Sequence, residues 1–203
     1  MCTRREILNA ADTLFAREGF DATSIRDIAQ LTGLNKSLVH YHYKNKEDLL
    51  VNLLDQYYAK LFQSLQEALL EPGSFKERVL NLVNRYGDFL AQNKNFSRIF
   101  QREAAGGKHV SRIRTHMLPF FNMGVAMLQQ AYPCTHSGPM AAEHLLVSIY
   151  GMIVTYFSYS EVLEPLFGPE SMSEASLNQR KIHLQHVLNL IFYALETQEK
   201  QPD

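Results

Sequence analysis

The chain has 203 residues, of which 46% are hydrophobic and 20% charged, a balance typical of a folded globular protein. Its formal net charge of -1 excludes a basic protein that binds nucleic acid through overall charge, so any such surface has to be local. Two cysteines, Cys2 and Cys134, are too few for a disulfide framework or a zinc site and favour a reducing compartment.

No apolar run of signal-peptide length opens the chain. The most apolar stretch, residues 145–157, is shorter than the ~20 residues that cross a bilayer. We therefore expect a cytoplasmic protein without a membrane partner.

Helical periodicity runs through the sequence, and strand-like alternation is almost absent, so an all-α fold is predicted. One face of the first helix carries the apolar residues Ile7, Leu8, Ala11, Leu14 and Phe15. Thr3 and Glu6 have the spacing of a capping box, and Gly19 is expected to end this helix.

Three further helices are predicted before residue 71. The second begins at Thr23 or Ser24 and ends near Gly33, and a short third helix follows Asn35, a residue that favours the helix N-cap. The fourth begins at Asn45 and extends to about residue 70, before a Pro-Gly-Ser break.

Five helical blocks are predicted downstream, and they bring the expected number of helices to about nine. They cover residues 75–92, 95–104, 109–131, 140–163 and 176–196. Gly106-Gly107 and the proline-containing segments 133–139 and 165–169 separate them. Pro119 is expected to kink or break the third block, because it removes a backbone donor.

Two short helices joined at Gly33, with a helix before them, have the layout of a helix-turn-helix unit. Glycine accepts the positive φ that the tight turn requires. No carboxylate occurs from Lys36 to Lys46, so this segment is locally positive. The side chains expected to point outward from the third helix are Lys36, Ser37, Leu38, His40, Tyr41 and His42.

The segment "TSIRDIAQLTGLNKSLVHYHYKNKEDLL" resembles the DNA-binding region of TetR-type transcriptional regulators. The matching positions are Thr23-Ser24, Ile28-Ala29, Gly33, Val39 to Tyr43, Lys46-Glu47 and Leu49. The preceding "ILNAADTLFAREGFDATS" is similar to the first helix of the family. His40 stands where the family usually has a phosphate-contacting tyrosine, and Tyr43, which shares a face with Val39, is expected in the core.

The resemblance implies an all-α regulator with a helix-turn-helix domain over residues 1–48, a recognition unit at 24–43, and a helical effector-binding and dimerisation domain over residues 49–203. Such proteins are homodimers that bind a palindromic DNA operator, usually as repressors, and a small-molecule effector releases them. Carried over, the phosphate contacts fall on Thr23, Ser24 and Lys46, and the other DNA contacts on Lys36, Ser37, Leu38, His40, Tyr41 and His42.

Two downstream segments are apolar enough to pack against a second copy of the chain. The proposed dimer-interface residues are Leu145, Ile149, Ile153, Leu184, Val187, Leu188, Ile191 and Leu195. Ordinary packing within one chain is the alternative.

An effector pocket is expected among the aromatic residues Phe89, Phe96, Phe100, Phe120, Phe121 and Tyr156, together with His116. Aromatic residues at helical spacing also occur in ordinary cores, which is the alternative. His183 and His186 have a spacing that metal ligands sometimes use, but no cysteine or carboxylate pattern accompanies them, so no metal or other cofactor is expected.

No glycine-rich phosphate loop, nucleophile elbow or HExxH motif occurs, so the chain is not expected to be an enzyme. The alternative function is a helical protein-interaction module that does not bind specific DNA sequences.

Overall fold

The computed structural model of the protein describes residues 2–106 and 109–200; Gly107, one of the two glycines expected to separate helices, lies outside them. The described residues form ten α-helices and no strand, which confirms the all-α prediction. The helices are α1 (Cys2–Arg17), α2 (Ile25–Thr32), α3 (Lys36–His42), α4 (Lys46–Leu70), α5 (Phe75–Gln92), α6 (Lys94–Gly106), α7 (Val110–Ala131), α8 (Ala142–Ser158), α9 (Glu164–Phe167) and α10 (Glu174–Lys200). No helix in these ranges is long and apolar enough to cross a membrane.

Local capping signals fix the beginnings of the N-terminal helices. Ser24 is the N-cap of α2 and forms a capping box with Asp27, whereas Gly33 ends the helix at φ 70°. Asn35 and Asn45 cap α3 and α4, as predicted. The predicted cap at Thr3 is wrong, because α1 already begins at Cys2 and includes Thr3.

The C-terminal helices differ in detail from the prediction. α7 continues through Pro119 without a break. α8 ends at Ser158, and the separate short helix α9 follows, which raises the number of helices from nine to ten. Pro165 lies in the first turn of α9, where proline is tolerated because the N–H it lacks has no helical partner there. The sequence therefore contained a helix where only a break was predicted.

One hydrophobic core extends from α1 to α10, and α4 connects its two ends. Leu49, Leu50 and Leu53, in the first half of α4, are buried in this core. The predicted domain boundary between residues 48 and 49 therefore falls inside a continuous helix. A movement of α4 would therefore displace residues packed against it in both the helix-turn-helix unit and the C-terminal helices.

Two polar or aromatic contacts tie α1 to the C-terminal helices. Asp12 of α1 accepts hydrogen bonds from the Tyr57 hydroxyl of α4 (2.8 Å) and from the Asn95 amide of α6 (2.8 Å). Phe20, just after α1, packs edge-on against the His109 ring at 5.3 Å, and His109 in turn pairs with Glu103 of α6. These contacts join the helix-turn-helix unit to α4, α6 and the start of α7.

Candidate nucleic-acid interface and apolar cavity

Helix α3 has one buried side and one exposed side. Val39 and Tyr43 are buried, and the Tyr43 hydroxyl donates to the Arg4 carbonyl oxygen at 3.2 Å. On the opposite side, Tyr41 is 81% exposed, and Lys36 is exposed as well. Burial of Val39 and Tyr43 in the core thus determines which side chains α3 presents to solvent, and the prediction that Tyr43 is a core residue is confirmed.

The remaining predicted contacts of α3 lie around Tyr41. Ser37 and His40 are exposed, and Leu38 and His42 are half-buried. The rings of Tyr41 and His42 meet edge-on at 5.1 Å. The six predicted side chains of α3 therefore occupy its exposed side and the margins of that side.

Thr23 does not belong to this surface. Its side chain is 1% exposed, and its hydroxyl donates to the Gly19 carbonyl oxygen at 2.8 Å. A buried hydroxyl with this partner serves the turn between α1 and α2. The Thr23 side chain is therefore not available to a phosphate in this structure, and the predicted phosphate contact of Thr23 stays a prediction.

Ser24 is exposed, but its donors are occupied. The hydroxyl donates to the Asp27 carboxylate at 2.7 Å, and the backbone N–H donates to the same carboxylate at 2.8 Å. These hydrogen bonds hold the pKa of Asp27 below its ordinary value, so the carboxylate is negative at neutral pH. A phosphate at Ser24 would have to approach this carboxylate.

Lys46 holds the loop between α1 and α2. Its ammonium group donates to the carbonyl oxygens of Phe20 (2.6 Å) and Asp21 (3.3 Å) and lies 4.3 Å from the centre of the Phe20 ring. Two carbonyl oxygens of the protein therefore accept hydrogen bonds from an ammonium group that has three N–H donors. Its predicted role as a phosphate contact is secondary to this structural one.

Two exposed cations near α3 were not singled out in the sequence. Lys44 follows α3 directly and belongs to the run without carboxylates, so its position could have been recognised. Arg26 lies on α2, where no pattern in the sequence distinguishes it from a solvated arginine. Both side chains are exposed to solvent. The exposed residues Lys36, Ser37, His40, Tyr41 and Lys44 are called the α3 surface below.

An apolar cavity of about 140 Å³ lies between α4, α5, α6, α7, α8 and α10. Four of the seven predicted pocket residues line it: Phe96, Phe100, Phe120 and Phe121. Most other lining residues are aliphatic or methionine, such as Leu65, Val83 and Met127. None of the described residues that line it is charged.

Three residues predicted for the pocket lie elsewhere. Phe89 is buried and packs edge-on against Phe96 at 5.4 Å, behind the cavity wall. His116 stacks on Tyr58 and hydrogen-bonds to Asp55 of α4 at 3.0 Å. Tyr156 lines a separate surface groove, next to Phe167 and Arg180. Their placement in the cavity was wrong because helical spacing does not tell which neighbours a side chain meets.

The predicted dimer-interface residues face the interior of their own chain. Leu145, Ile149, Ile153, Leu188, Ile191 and Leu195 line the cavity, Leu184 is buried in the core, and Val187 is half-buried. Ile149, Val187 and Ile191 are only half-buried, so the predicted interface stays a prediction, and its buried residues are not available to a second copy in this structure. The exposed apolar residues of these helices are instead Val147 on α8 and Ile182, Leu190 and Tyr193 on α10.

Among the described residues, no group of three or more histidine, cysteine or carboxylate side chains is arranged to hold a metal ion. His183 and His186 are both exposed on α10.

Comparison with known proteins agrees with this architecture. The model of the family described as "Bacterial regulatory proteins, tetR family" matches residues 7–53, which include α1, α2, α3 and the beginning of α4. The N-terminal part of the chain is therefore similar to the TetR family. The match covers the helix-turn-helix unit, so it bears on the N-terminal part and not on the cavity.

Curated members of the TetR family resemble mainly this N-terminal part. The HTH-type transcriptional regulator Mb3439c of Mycobacterium bovis is 41% identical over 86 residues, which are 42% of this chain and 43% of that protein. The fatty acid metabolism regulator protein of Bacillus subtilis is 24% identical over 98 residues, 48% of this chain and 50% of that protein. The chain spans about half the length of the curated relatives it matches. These relatives are named as regulators and not as enzymes, in agreement with the sequence-based expectation.

Solved TetR structures share the fold over nearly the whole chain. The ketosteroid transcriptional regulator KstR2 of Mycobacterium tuberculosis superposes with a TM-score of 0.73 at 19% identity, over 92% of this chain and 93% of that one. FadR of Bacillus subtilis, solved in complex with stearoyl-CoA, superposes with a TM-score of 0.71 at 18% identity, over 91% and 96% of the two chains. At these identities the similarity establishes the fold alone.

Proposed function

We propose that this chain is a TetR-family DNA-binding transcriptional regulator, a repressor that binds a palindromic operator as a homodimer and is released by a small-molecule effector. The observation that carries this proposal is the α3 surface. A tyrosine that is 81% exposed stands among lysine, histidine and serine side chains, with no carboxylate between residues 36 and 46. Such side chains bind phosphates and base edges of duplex DNA.

The helix-turn-helix domain over residues 1–48 remains the proposed DNA-binding part, with the recognition unit at 24–43. The α3 surface enters the major groove, where Tyr41, Lys36 and Ser37 reach bases and phosphates. Lys44 replaces Lys46 as the proposed phosphate contact, because its side chain is exposed. Leu38 and His42 are half-buried at the margins of the exposed side of α3. Leu38 makes an apolar contact with the DNA and His42 a polar one, each limited by the partial burial of the side chain.

The dimer forms through the outer faces of α8 and α10. These helices are neighbours, because Arg180 of α10 donates to the Met152 carbonyl oxygen of α8 at 2.5 Å. Val147, Leu190 and Tyr193 expose apolar surface there, and a Cβ atom added at Gly151 would meet no other atom, so a partner helix can approach closely. Two-fold symmetry then places two α3 surfaces on the two halves of a palindrome.

The cavity is the proposed effector site, and α4 couples it to the DNA-binding part. α4 lines the cavity with Leu61, Phe62 and Leu65. The N-terminal end of the same helix begins at Lys46, directly after the α3 surface. An effector that prefers a different position of α4 lowers the DNA affinity by the difference of its affinities for the two states. The contacts of Asp12 and His109 with the C-terminal helices offer a second route.

The proposal is tested by selecting duplex DNA from random sequences with the purified protein and following binding against salt concentration. The expected result is one palindromic sequence, bound by a dimer, with an affinity that falls steeply as salt rises, because phosphate contacts release counterions. Selection of no preferred sequence, together with weak salt dependence, would favour the helical protein-interaction module instead.

Lys44 and Lys46, two positions apart, allow a contact with DNA to be distinguished from a contribution to stability. We expect Lys44→Met to weaken operator binding and to make the slope of log affinity against log salt shallower by about 0.9, the share of one phosphate contact. Lys46→Met should instead lower the free energy of unfolding by about 1–2 kcal/mol, because it removes hydrogen bonds to Phe20 and Asp21. Urea unfolding and fluorescence anisotropy on both variants measure the two effects, and an exchanged result would return the phosphate contact to Lys46.

A further inference from the structure

Two tyrosines line one end of the apolar cavity, and a third is buried beside that end. Tyr86 of α5 and Tyr150 of α8 both line it, with stacked rings 6.2 Å apart. Tyr58 of α4 is buried one helical turn before Leu61, which lines the cavity. The Tyr58 ring stacks on Phe62 with the ring centres 5.8 Å apart, and Phe62 lines the cavity. The three tyrosines are called the tyrosine cluster.

The tyrosine cluster is uncharged, and one of its hydroxyl groups is free, within the described residues, to donate a hydrogen bond. Burial, more than any neighbouring group, raises the pKa of each of the three tyrosines above its ordinary value, so each phenol keeps its proton. The Tyr58 hydroxyl is buried without a hydrogen-bond partner in the described part of the chain. A buried hydroxyl of this kind is costly to leave unpaired, so an acceptor atom that reached it would be bound favourably.

The cavity extends along α4. α4 and α5 form a hairpin, so that Tyr58 and Tyr86 lie at one end of it, and Leu69 and Phe75 at the other. From Leu61 to Leu69 the lining extends about 12 Å along α4, at 1.5 Å per residue. The volume of about 140 Å³ is close to that of cavities that hold one small apolar molecule. Met117, Met123 and Met127 line one wall, and their flexible side chains allow it to widen.

A charged group has no partner inside this cavity. Neither arginine, lysine, histidine, aspartate nor glutamate occurs among the described lining residues. Burying an unpaired carboxylate or ammonium in apolar surroundings costs several kcal/mol, which outweighs what a short alkyl chain gains. The same argument keeps an anionic nucleotide headgroup outside.

We propose that the effector is an uncharged molecule with a slender apolar body and one terminal hydrogen-bond acceptor, such as the carbonyl of an ester or ketone, which the tyrosine cluster receives. This inference rests on the proposed function, in which the cavity is the effector site. The acceptor then lies beside Tyr58, whose ring stacks on His116 at 4.5 Å, and His116 and Arg112 of α7 both bind Asp55 of α4. The cluster thus stands where a ligand can alter the contact between α4 and α7.

The test measures binding of three probes with one common chain, namely methyl octanoate, octanoate and octylammonium, to the full protein without DNA, by isothermal titration calorimetry at neutral pH. We expect the ester to bind at least about tenfold more tightly than either ion. Ile149→Phe, which fills the cavity, should abolish ester binding in a protein that keeps its helical circular dichroism. Equal binding of octanoate and ester, or binding of none of the probes, would overturn the proposal.

Hydroxyl deletions test the acceptor. Tyr58→Phe should weaken ester binding about fivefold, the share of one neutral hydrogen bond. Tyr86→Phe should weaken it less, because the Tyr86 hydroxyl is already hydrogen-bonded to Tyr150. Tyr58→Phe should also leave the melting temperature of the unliganded protein unchanged or raise it, because it removes an unpaired buried hydroxyl. Tyr159→Phe, an exposed tyrosine outside the cavity, is the matched control and should change neither quantity. Unchanged ester affinity in both cluster variants would contradict the assignment of the acceptor.

Different experimental outcomes would reject the proposed effector class and the proposed regulator function. Ester binding by a protein that selects no DNA would leave the effector class standing and reject the regulator. Operator binding that is unaffected by any neutral probe, with octanoate as the tighter ligand, would keep the regulator and reject the effector class.

Discussion

Leu190→Glu is expected to make the protein monomeric at concentrations where the unsubstituted chain is a dimer, whereas Leu188→Ala is expected to leave association intact and to reduce stability. The two leucines lie two residues apart on α10, but Leu188 is 1% exposed and Leu190 is 57% exposed. Leu190 belongs to the proposed dimer surface, and Leu188 lies against the cavity of its own chain. One helix thus offers a pair of matched sites with opposite expectations.

The expected magnitudes follow from what each substitution removes. A two-fold interface contains Leu190 twice, so Leu190→Glu buries two unpaired carboxylates and should raise the dimer dissociation constant at least about 100-fold. Leu188→Ala leaves a larger cavity in the core and should cost about 2–5 kcal/mol of unfolding free energy. Because a palindromic operator is bound by both protomers, Leu190→Glu should also reduce operator affinity strongly.

Sedimentation equilibrium gives the dissociation constant, and urea unfolding at several protein concentrations separates protomer stability from association. Leu190→Ser serves as a milder control, since it removes the apolar contact without adding a charge. A Leu190→Glu protein that remains dimeric would move the interface to another surface. Loss of association in Leu188→Ala at full helical content would support the interface residues that were predicted from the sequence.

The contrast between Leu188 and Leu190 also explains what the sequence could and could not predict. The sequence identified α8 as a helix that is apolar on all sides and α10 as a helix with one broad apolar face, and α8 is the most apolar helix of the described residues. It could not tell which apolar side faces the protomer's own core and which faces solvent, because both sides have the same hydrophobic signal. The side with the stronger signal was assigned to the dimer, and the structure places it inside.

Local signals gave more reliable predictions than tertiary ones. The caps at Asn35 and Asn45 were predicted correctly, and the start of α2 was placed at Thr23 or Ser24, of which Ser24 is the cap, because a cap depends on residues within one turn of the helix. The role of Lys46 depends on Phe20, 26 positions away along the chain, and no local pattern reports such a contact. Lys44, which lacks this contact, could not be distinguished from it by residue type.

The same limit applies to the cavity. Aromatic residues at helical spacing were a fair guide to four of its lining residues, but not to Tyr86 and Tyr150, whose rings stack only after α5 and α8 have packed. A single sequence contains the ingredients of such a cluster without their spatial arrangement. The proposal for the chemical class of the effector therefore rests on the structure and not on the sequence.

Asp12→Ala is expected to lower the free energy of unfolding by about 2 kcal/mol and to weaken the effect of any effector on DNA affinity. The Asp12 carboxylate accepts one hydrogen bond from Tyr57 of α4 and one from Asn95 of α6. Burial raises the pKa of Tyr57 above its ordinary value and Asp12 adds to the rise, so the phenol remains a donor and loses its partner in the variant. Substitution therefore leaves two partly buried donors unpaired and loosens α1 from both helices.

Asp88→Ala is the matched control, because Asp88 forms an exposed ion pair with Lys181 far from α1 along the chain, and exposed pairs contribute about 0–1 kcal/mol. Urea unfolding measures the stability of both variants, and operator affinity with and without ligand measures the coupling free energy. If Asp12→Ala loses stability but keeps the full effect of the ligand on DNA affinity, the signal passes through α4 alone. If it keeps its stability and loses the ligand effect, the junction of α1, α4 and α6 is a transmitting contact whose two hydrogen bonds contribute little to folding. Loss of both is the expected result, since one carboxylate holds the DNA-binding helices to the two helices that meet the cavity.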